Sequence, residues 1–380
     1  DNQPFDPDYS IQLLKMFTAW EAAEREGKTL DETTTWDVKK SSGDFETDLK
    51  EICTTVFSCA THPFLKSDQT STVRCSHYIV DPISTQASLL ALTARKTIHS
   101  LNLNGCALSD VSLNLLRTAL PQTSITHLAV DYNGGGTAEA LCNLASIDSL
   151  TSLSLRGNQL GAENILTLCG VLRTKTNTIK SLSLYRNGIG DLGARKISRL
   201  LRENKTLKNI SLSANGITSL GLKELLTGLT RYTLDQEGVD ARVVLSGAVV
   251  GGDVEGGGKK KKGKKKETGG ASKLDEILSG GVCAKDEAGN DIEGTAVAGV
   301  GTVCRGNMEL VCLDLSYNVD IGKNATDSLN VLSTTLQKED LLVGQLNTLV
   351  LMGCGFEEGE KMVIDLLKEV GVERGSLNEK

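Results

Sequence analysis

The chain has 380 residues, 41 basic and 48 acidic, for a formal net charge of −7, and by length it holds one large domain or two to three ordinary ones. Leucine alone supplies 55 residues while Phe, Trp and Tyr together number 14, so many small, similar core positions are implied rather than one aromatic-centred core. No apolar run approaches the ~18 residues that carry a helix across a bilayer, which excludes a membrane-spanning helix.

Residues 1–72 are read as a helical capping and docking segment. Ile11, Leu14, Phe17 and Trp20 lie three apart and end at Gly27, and Phe45, Leu49, Ile52 and Val56 suggest a second helix. Nine of the fourteen aromatics precede residue 80, which leaves two uses open. The helices cap the open end of a repeat stack that begins at residue 73, or Phe5, Phe17, Trp20 and Trp36 dock on a partner. The chain begins at Asp1 rather than Met, which leaves open a targeting segment removed before it.

From residue 73 to 232 the chain repeats. Apolar residues recur as L-x-x-L-x-L-x-x-N/C in Ile98-Leu101-Leu103-Cys106, Ile125-Leu128-Val130-Asn133, Leu150-Leu153-Leu155-Asn158, Ile179-Leu182-Leu184-Asn187 and Leu207-Ile210-Leu212-Asn215, with starts 27, 25, 29 and 28 residues apart. A degenerate first unit places Cys75, Tyr78, Val80 and Ile83 on the template, with Leu89, Leu90 and Leu92 as its helix. The frame returns over 310–380 as Leu310-Leu313-Leu315-Asn318 and Leu346-Leu349-Leu351-Cys354. Each L-x-L alternates as a strand does, the Asn or Cys can bond backbone where the chain turns, and a helical spacing comes after it. Ile189, Leu192, Ala194, Ile197, Leu200 and Leu201 trace one such helical face.

These units resemble leucine-rich repeats of the long, ribonuclease-inhibitor-like class. The resemblance implies an α/β fold: a curved solenoid, one strand and one helix per repeat, with a parallel sheet on the concave face and a helical N-terminal segment.

The repeat phase jumps by 103 residues between Leu207 and Leu310. Residues 233–309 are therefore an insertion, expected to be largely disordered, with seventeen Gly and no Phe, Trp or Tyr. Its Val-rich flanks, Val239 to Val250 and Thr295 to Val303, can pair as a two-stranded ribbon. The middle holds Lys259, Lys260, Lys261, Lys262, Lys264, Lys265 and Lys266; without these seven the rest has 34 basic against 48 acidic residues, a net −14. Such a run suits a nuclear localisation signal, a nucleic-acid contact, anionic lipid, or a tether to an acidic protein surface such as tubulin tails. A merely solvated loop is the plainer reading. Without interleaved aromatics or arginines, base-specific recognition is not expected.

Catalytic searches find no phosphate loop, Gly-x-Ser-x-Gly elbow or His-Glu-x-x-His, so no catalytic residue, metal or cofactor is expected. The ten cysteines form no Cys-x-x-Cys pair, which favours a reducing compartment. His99 and His127, one repeat apart, are better read as surface residues than as a zinc site. Sequons at Asn204, Asn209 and Asn324 carry little weight.

Function is expected on the concave face, where the two positions after each L-x-L supply Asp131, Tyr132, Arg156, Tyr185 and Arg186; beyond the insertion the same surface gains Tyr317 and, from within its L-x-L, Asp314. Tyr and Arg are the residue types that most often anchor interfaces. The resemblance implies a non-enzymatic interaction scaffold or a subunit of a larger, cytoskeletal or ciliary, assembly in the cytoplasm, with the nucleus open through the Lys run. The alternative it implies is a GTPase-activating protein like the Ran-directed family; no catalytic residue is matched, and that family's long acidic tail has no counterpart in the residues up to Lys380. An innate immune sensor would need a nucleotide-binding module not found here.

Overall fold

Helix α1 (Phe45–Thr55) starts where the Asp44 carboxylate accepts the Thr47 N–H at 2.8 Å, and it buries Phe45, Leu49 and Ile52, the predicted stripe, together with Cys53. Residues described by the computed structural model are 37–59, 61–62, 65–68, 71–174, 177–230, 232–233, 284–285, 291–292, 295–297, 301–304, 307, 309–323, 325–336, 346–356 and 373–375. The helix predicted around Ile11 to Trp20, Trp36, the Val239 to Val250 run and the seven lysines lie outside them.

Strand β1 (Lys66–Ser67) runs antiparallel on β2 (Thr72–Ser76). Strand and helix then alternate: α2 (Pro82–Thr93), β3 (Ser100–Asn104), α3 (Asp110–Ala119), β4 (His127–Ala129), α4 (Ala138–Asn143), β5 (Ser152–Ser154) and α5 (Gly161–Leu172). They continue as β6 (Ser181–Ser183), α6 (Gly190–Glu203), β7 (Asn209–Ser211) and α7 (Ser219–Thr227). At the insertion lie the short strands β8 (Tyr232–Thr233), β9 (Ala284–Lys285), β10 (Asp291–Ile292), β11 (Thr295–Val297) and β12 (Gly301–Cys304). After it come β13 (Cys312–Asp314), α8 (Asp320–Lys323), α9 (Ala325–Leu336), β14 (Thr348–Val350) and β15 (Glu373–Gly375).

One ten-stranded sheet takes the order β1-β2-β3-β4-β5-β6-β7-β13-β14-β15, parallel everywhere except at β1. Its ladder aligns Val73, Leu101, Leu128, Leu153, Leu182, Ile210, Leu313 and Leu349 without offset. Helices pack side by side on one face. A helix is about 10 Å wide and a strand about 4.8 Å, so the sheet lies on the concave side.

Two expectations are corrected here. Val73 and Cys75 pair with Leu101 and Leu103, so they, not Tyr78 and Val80, fill the strand positions of the first unit. Leu192 is 59% exposed; Gly193 takes the inward place because a Cβ there would meet Ile189 at 2.2 Å. Within the insertion the Thr295 to Val303 run pairs with itself, as a hairpin of β11 and β12, and β12 takes β8 on its other edge.

Buried asparagines tie each repeat to the one before. Asn187 Nδ2 donates to Leu155 O at 2.9 Å, while its Oδ1 accepts from Asn158 N at 3.0 Å and Leu160 N at 3.3 Å. Asn133, Asn215 and Asn318 repeat the arrangement. In the second and the last unit cysteine substitutes: Cys106 Sγ donates to Cys75 O at 3.2 Å and Cys354 Sγ to Leu315 O at 3.1 Å. The ladder crosses the insertion unbroken, since Asn215 N–H donates to Asn318 Oδ1 at 2.8 Å.

Candidate functional site on the concave face

Each strand's last inward residue is followed by one residue facing the open side and then by a left-handed turn. That turn has φ of 62° at His77, 65° at Gly105, 55° at Tyr132, 65° at Gly157, 54° at Arg186, 52° at Ala214, 58° at Tyr317 and 66° at Gly353. A left-handed non-glycine residue costs about 1–2 kcal/mol and often marks function. Here the same conformation recurs in all eight units, so it belongs to the repeat's turn and not to the site.

The turn lays its side chain toward the next repeat. A Cβ on Gly157 would lie 2.2 Å from the Tyr132 ring, one on Gly353 2.7 Å from Tyr317, and one on Gly105 2.8 Å from His77. Large and small residues therefore alternate along this row, each ring resting on the following glycine. Tyr132 and Tyr317 remain 46% and 51% exposed.

Arg156 and Tyr185 occupy the open-facing place just before the turn in adjacent units. The Arg156 guanidinium stands 4.9 Å from the Tyr185 ring centroid, a cation–π pair of about 0.5–1 kcal/mol when exposed. Arg156 and Arg186 are exposed and Tyr185 is half-buried. Around them the outward strand positions are mostly small: Ser152 and Ser154, Ser181 and Ser183, and Ser211 next to Asn209. The large side chains thus rise from a low floor.

The two carboxylates singled out in the sequence point to the sheet instead. Asp131, 7% exposed, accepts from Ser154 Oγ at 2.6 Å and Arg156 N at 2.9 Å, clamping β5 to the preceding unit. Asp314 accepts from Ser211 Oγ at 2.7 Å, Ser213 Oγ at 2.8 Å and Ser316 N at 3.0 Å. Burial pushes the Asp314 pKa up, but hydrogen bonds from Ser316, Ser211 and Ser213 outweigh it and hold the carboxyl below its ordinary value. The structure therefore brings Tyr132, Arg156, Tyr185 and Arg186 together on three consecutive units. Tyr317 stands two units beyond Arg186, past Ser213 and Ala214. Trp20, Trp36 and the lysine run lie outside the described residues.

His99 and His127 do not face a common centre: His99 Nδ1 meets Ser124 O at 3.0 Å and His127 Nδ1 meets Thr126 Oγ1 at 2.8 Å. Among the described residues no group of three or more His, Cys, Asp or Glu is placed to hold a metal ion. Asn204 is 5% exposed, with its Nδ2 donating to Leu172 O at 2.8 Å, so that sequon is closed to a glycan in the folded chain. Sequence reasoning missed Leu220, 67% exposed in the first turn of α7 and equivalent to Leu192 in α6. The signal available was that both sit eight residues after the strand's last leucine, a place held by Ala138, Glu163 and Lys323 in three other units and by the exposed Val111 in a fourth.

A family model described as Leucine Rich repeat matches residues 148–169 and 176–198, the two units that carry Arg156, Tyr185 and Arg186. The chain contains leucine-rich repeats. It is also similar to NACHT, LRR and PYD domains-containing protein 5 of Bos taurus, 29% identical over 123 residues, which cover 30% of this chain and 11% of that one. The chain thus spans a small part of the length of the curated relative it matches. In this leucine-rich repeat sheet the stacked Arg156 and Tyr185 have no role in the repeat template. Its leucines, asparagines and left-handed turns serve the stack, and the pair is left over for the surface.

Proposed function

We propose that this leucine-rich repeat solenoid is a non-enzymatic scaffold that holds a protein partner on its concave face, with Tyr132, Arg156, Tyr185 and Arg186 as anchors. The supporting observation is the Arg156–Tyr185 stack on a serine floor. Two large side chains already held by each other lose less freedom on binding than free ones, which raises affinity for a given contact area. Residues of these types form most interface hot spots. At the finer level the reading is a subunit of a cytoplasmic, cytoskeletal or ciliary assembly. Its seven lysines attract an acidic protein surface such as tubulin tails, in line with their isolation within a chain otherwise at −14.

Proximity labelling in cells tests the scaffold reading. A partner set enriched by the wild type should be lost with Arg156→Ala/Tyr185→Ala while the melting temperature stays put. An unchanged partner set would refute the concave site. Neutralising Lys259–Lys262 and Lys264–Lys266 to Gln should mainly slow association, more so at low salt.

A further inference from the structure

At the end of α1 the chain reverses sharply. Cys59 N–H donates to Cys53 O at 2.9 Å, and Ser58 takes a left-handed φ of 52° to close the reversal. That backbone bond sets the two cysteines side by side, and both thiols are free. Cys53 is fully buried in the core, whereas Cys59 is partly open to solvent. We propose that Cys53 and Cys59 form a peroxide-reactive dithiol in which Cys59 is attacked first and Cys53 resolves it to a disulfide.

The electrostatics agree with this division. The hydrogen bond from Cys53 lowers the Cys59 pKa against the opposing effects of burial and Asp81, and the same bond, with burial, raises that of Cys53. A thiolate is the nucleophile toward peroxide, so the partly exposed and more acidic sulfur reacts. In the first step the Cys59 sulfur gives up its proton and attacks one peroxide oxygen, an S–O bond forms, the O–O bond breaks, and the departing hydroxide takes that proton and leaves as water. In the second the Cys53 sulfur attacks Cys59, an S–S bond forms, the S–O bond breaks, and hydroxide leaves with the Cys53 proton as water. Two thiols and one peroxide become one disulfide and two waters. The bond would pin the reversal where Val56 and Phe57 lean on the core.

The molecule carries its own comparison. Cys75 and Cys106 are also neighbours, with Cys106 Sγ donating to Cys75 O at 3.2 Å, but they are 1% and 0% exposed, so no oxidant reaches them in the folded chain. Burial raises Cys142 to about 11 and Cys169 and Cys354 to about 12. Among the described thiols Cys59 alone combines access with a lowered pKa.

Peroxide treatment of the full chain, alkylation and tryptic mass mapping test this, because both cysteines fall in the single peptide from Glu51 to Lys66. That peptide should lose two hydrogens and refuse the alkylating reagent, reversibly with dithiothreitol, while peptides carrying Cys75 and Cys106 stay alkylated. Cys59→Ser should abolish the reaction. Cys53→Ser, or Cys53→Ala if the serine variant does not fold, should leave a sulfenic acid on Cys59 that dimedone labels. If the wild-type peptide stays alkylated at both cysteines under peroxide that fully oxidises free glutathione, the proposal fails. It fails equally if Cys75 and Cys106 close first.

Discussion

Replacing Asn187 by Ala should remove one rung of the ladder that binds neighbouring repeats. Its Oδ1 accepts from Asn158 N and Leu160 N, and its Nδ2 donates to Leu155 O and, at 3.3 Å, to Tyr185 O. Tyr185 O keeps the Gly157 N–H at 2.8 Å, so two donors and one acceptor are left without this partner at a residue 1% exposed. At about 1–3 kcal/mol for each buried polar group left unpaired, the expected loss is about 3–9 kcal/mol, a large share of the ~5–15 kcal/mol that holds a domain together. Asn187→Cys should fall between, because a thiol at the equivalent places both donates and accepts. Cys354 donates to Leu315 O and receives the Asn318 N–H, and Cys106 receives the Tyr78 N–H. Urea titrations followed by circular dichroism give the three stabilities. A loss under about 1 kcal/mol for Ala, or Cys falling below Ala, would refute the ladder argument.

Gly157→Ala should cost about 2–4 kcal/mol, from its φ of 65° and from a Cβ 2.2 Å from the Tyr132 ring. Adding Tyr132→Ala should recover only the steric part, so full recovery in a double-mutant cycle would mean that the turn carries no strain. Asp314→Asn should cost ~2 kcal/mol at neutral pH. Because the folded pKa of Asp314 is depressed, its stabilisation is complete above the ordinary value of ~3.9 and is lost as pH falls through the lower folded value. The gap between wild type and Asn should therefore narrow in acid, and a gap independent of pH in denaturant titrations would overturn that assignment. Deleting residues 251–293 should leave the melting temperature nearly unchanged, since β7 already pairs with β13. A large drop in calorimetry would mean that the segment supports the stack.

The leucine period, the strand register from Leu101 to Leu349 and the asparagine rungs were legible in the amino-acid sequence by itself. Each unit of a solenoid touches only its neighbours, so the same local demand is written again about every 28 residues and repetition exposes it. Tyr132, Arg156, Tyr185 and Arg186 could be placed on one surface for the same reason. What the tertiary structure decided depends on what lies one repeat away. Tyr78 stands at the rung position only because Val73 pairs with Leu101, and a weak template cannot reveal a shift of five residues. Asp131 turns inward because Ser154 of the next strand offers a hydroxyl, and Asp314 because Ser211 and Ser213 do so across a gap of about a hundred residues. Tyr132 lies flat because the next repeat has a glycine beneath it. The periodic demands of the backbone and core are encoded within each unit, whereas the direction of a polar or aromatic side chain is set by the chemistry of a neighbour distant in sequence.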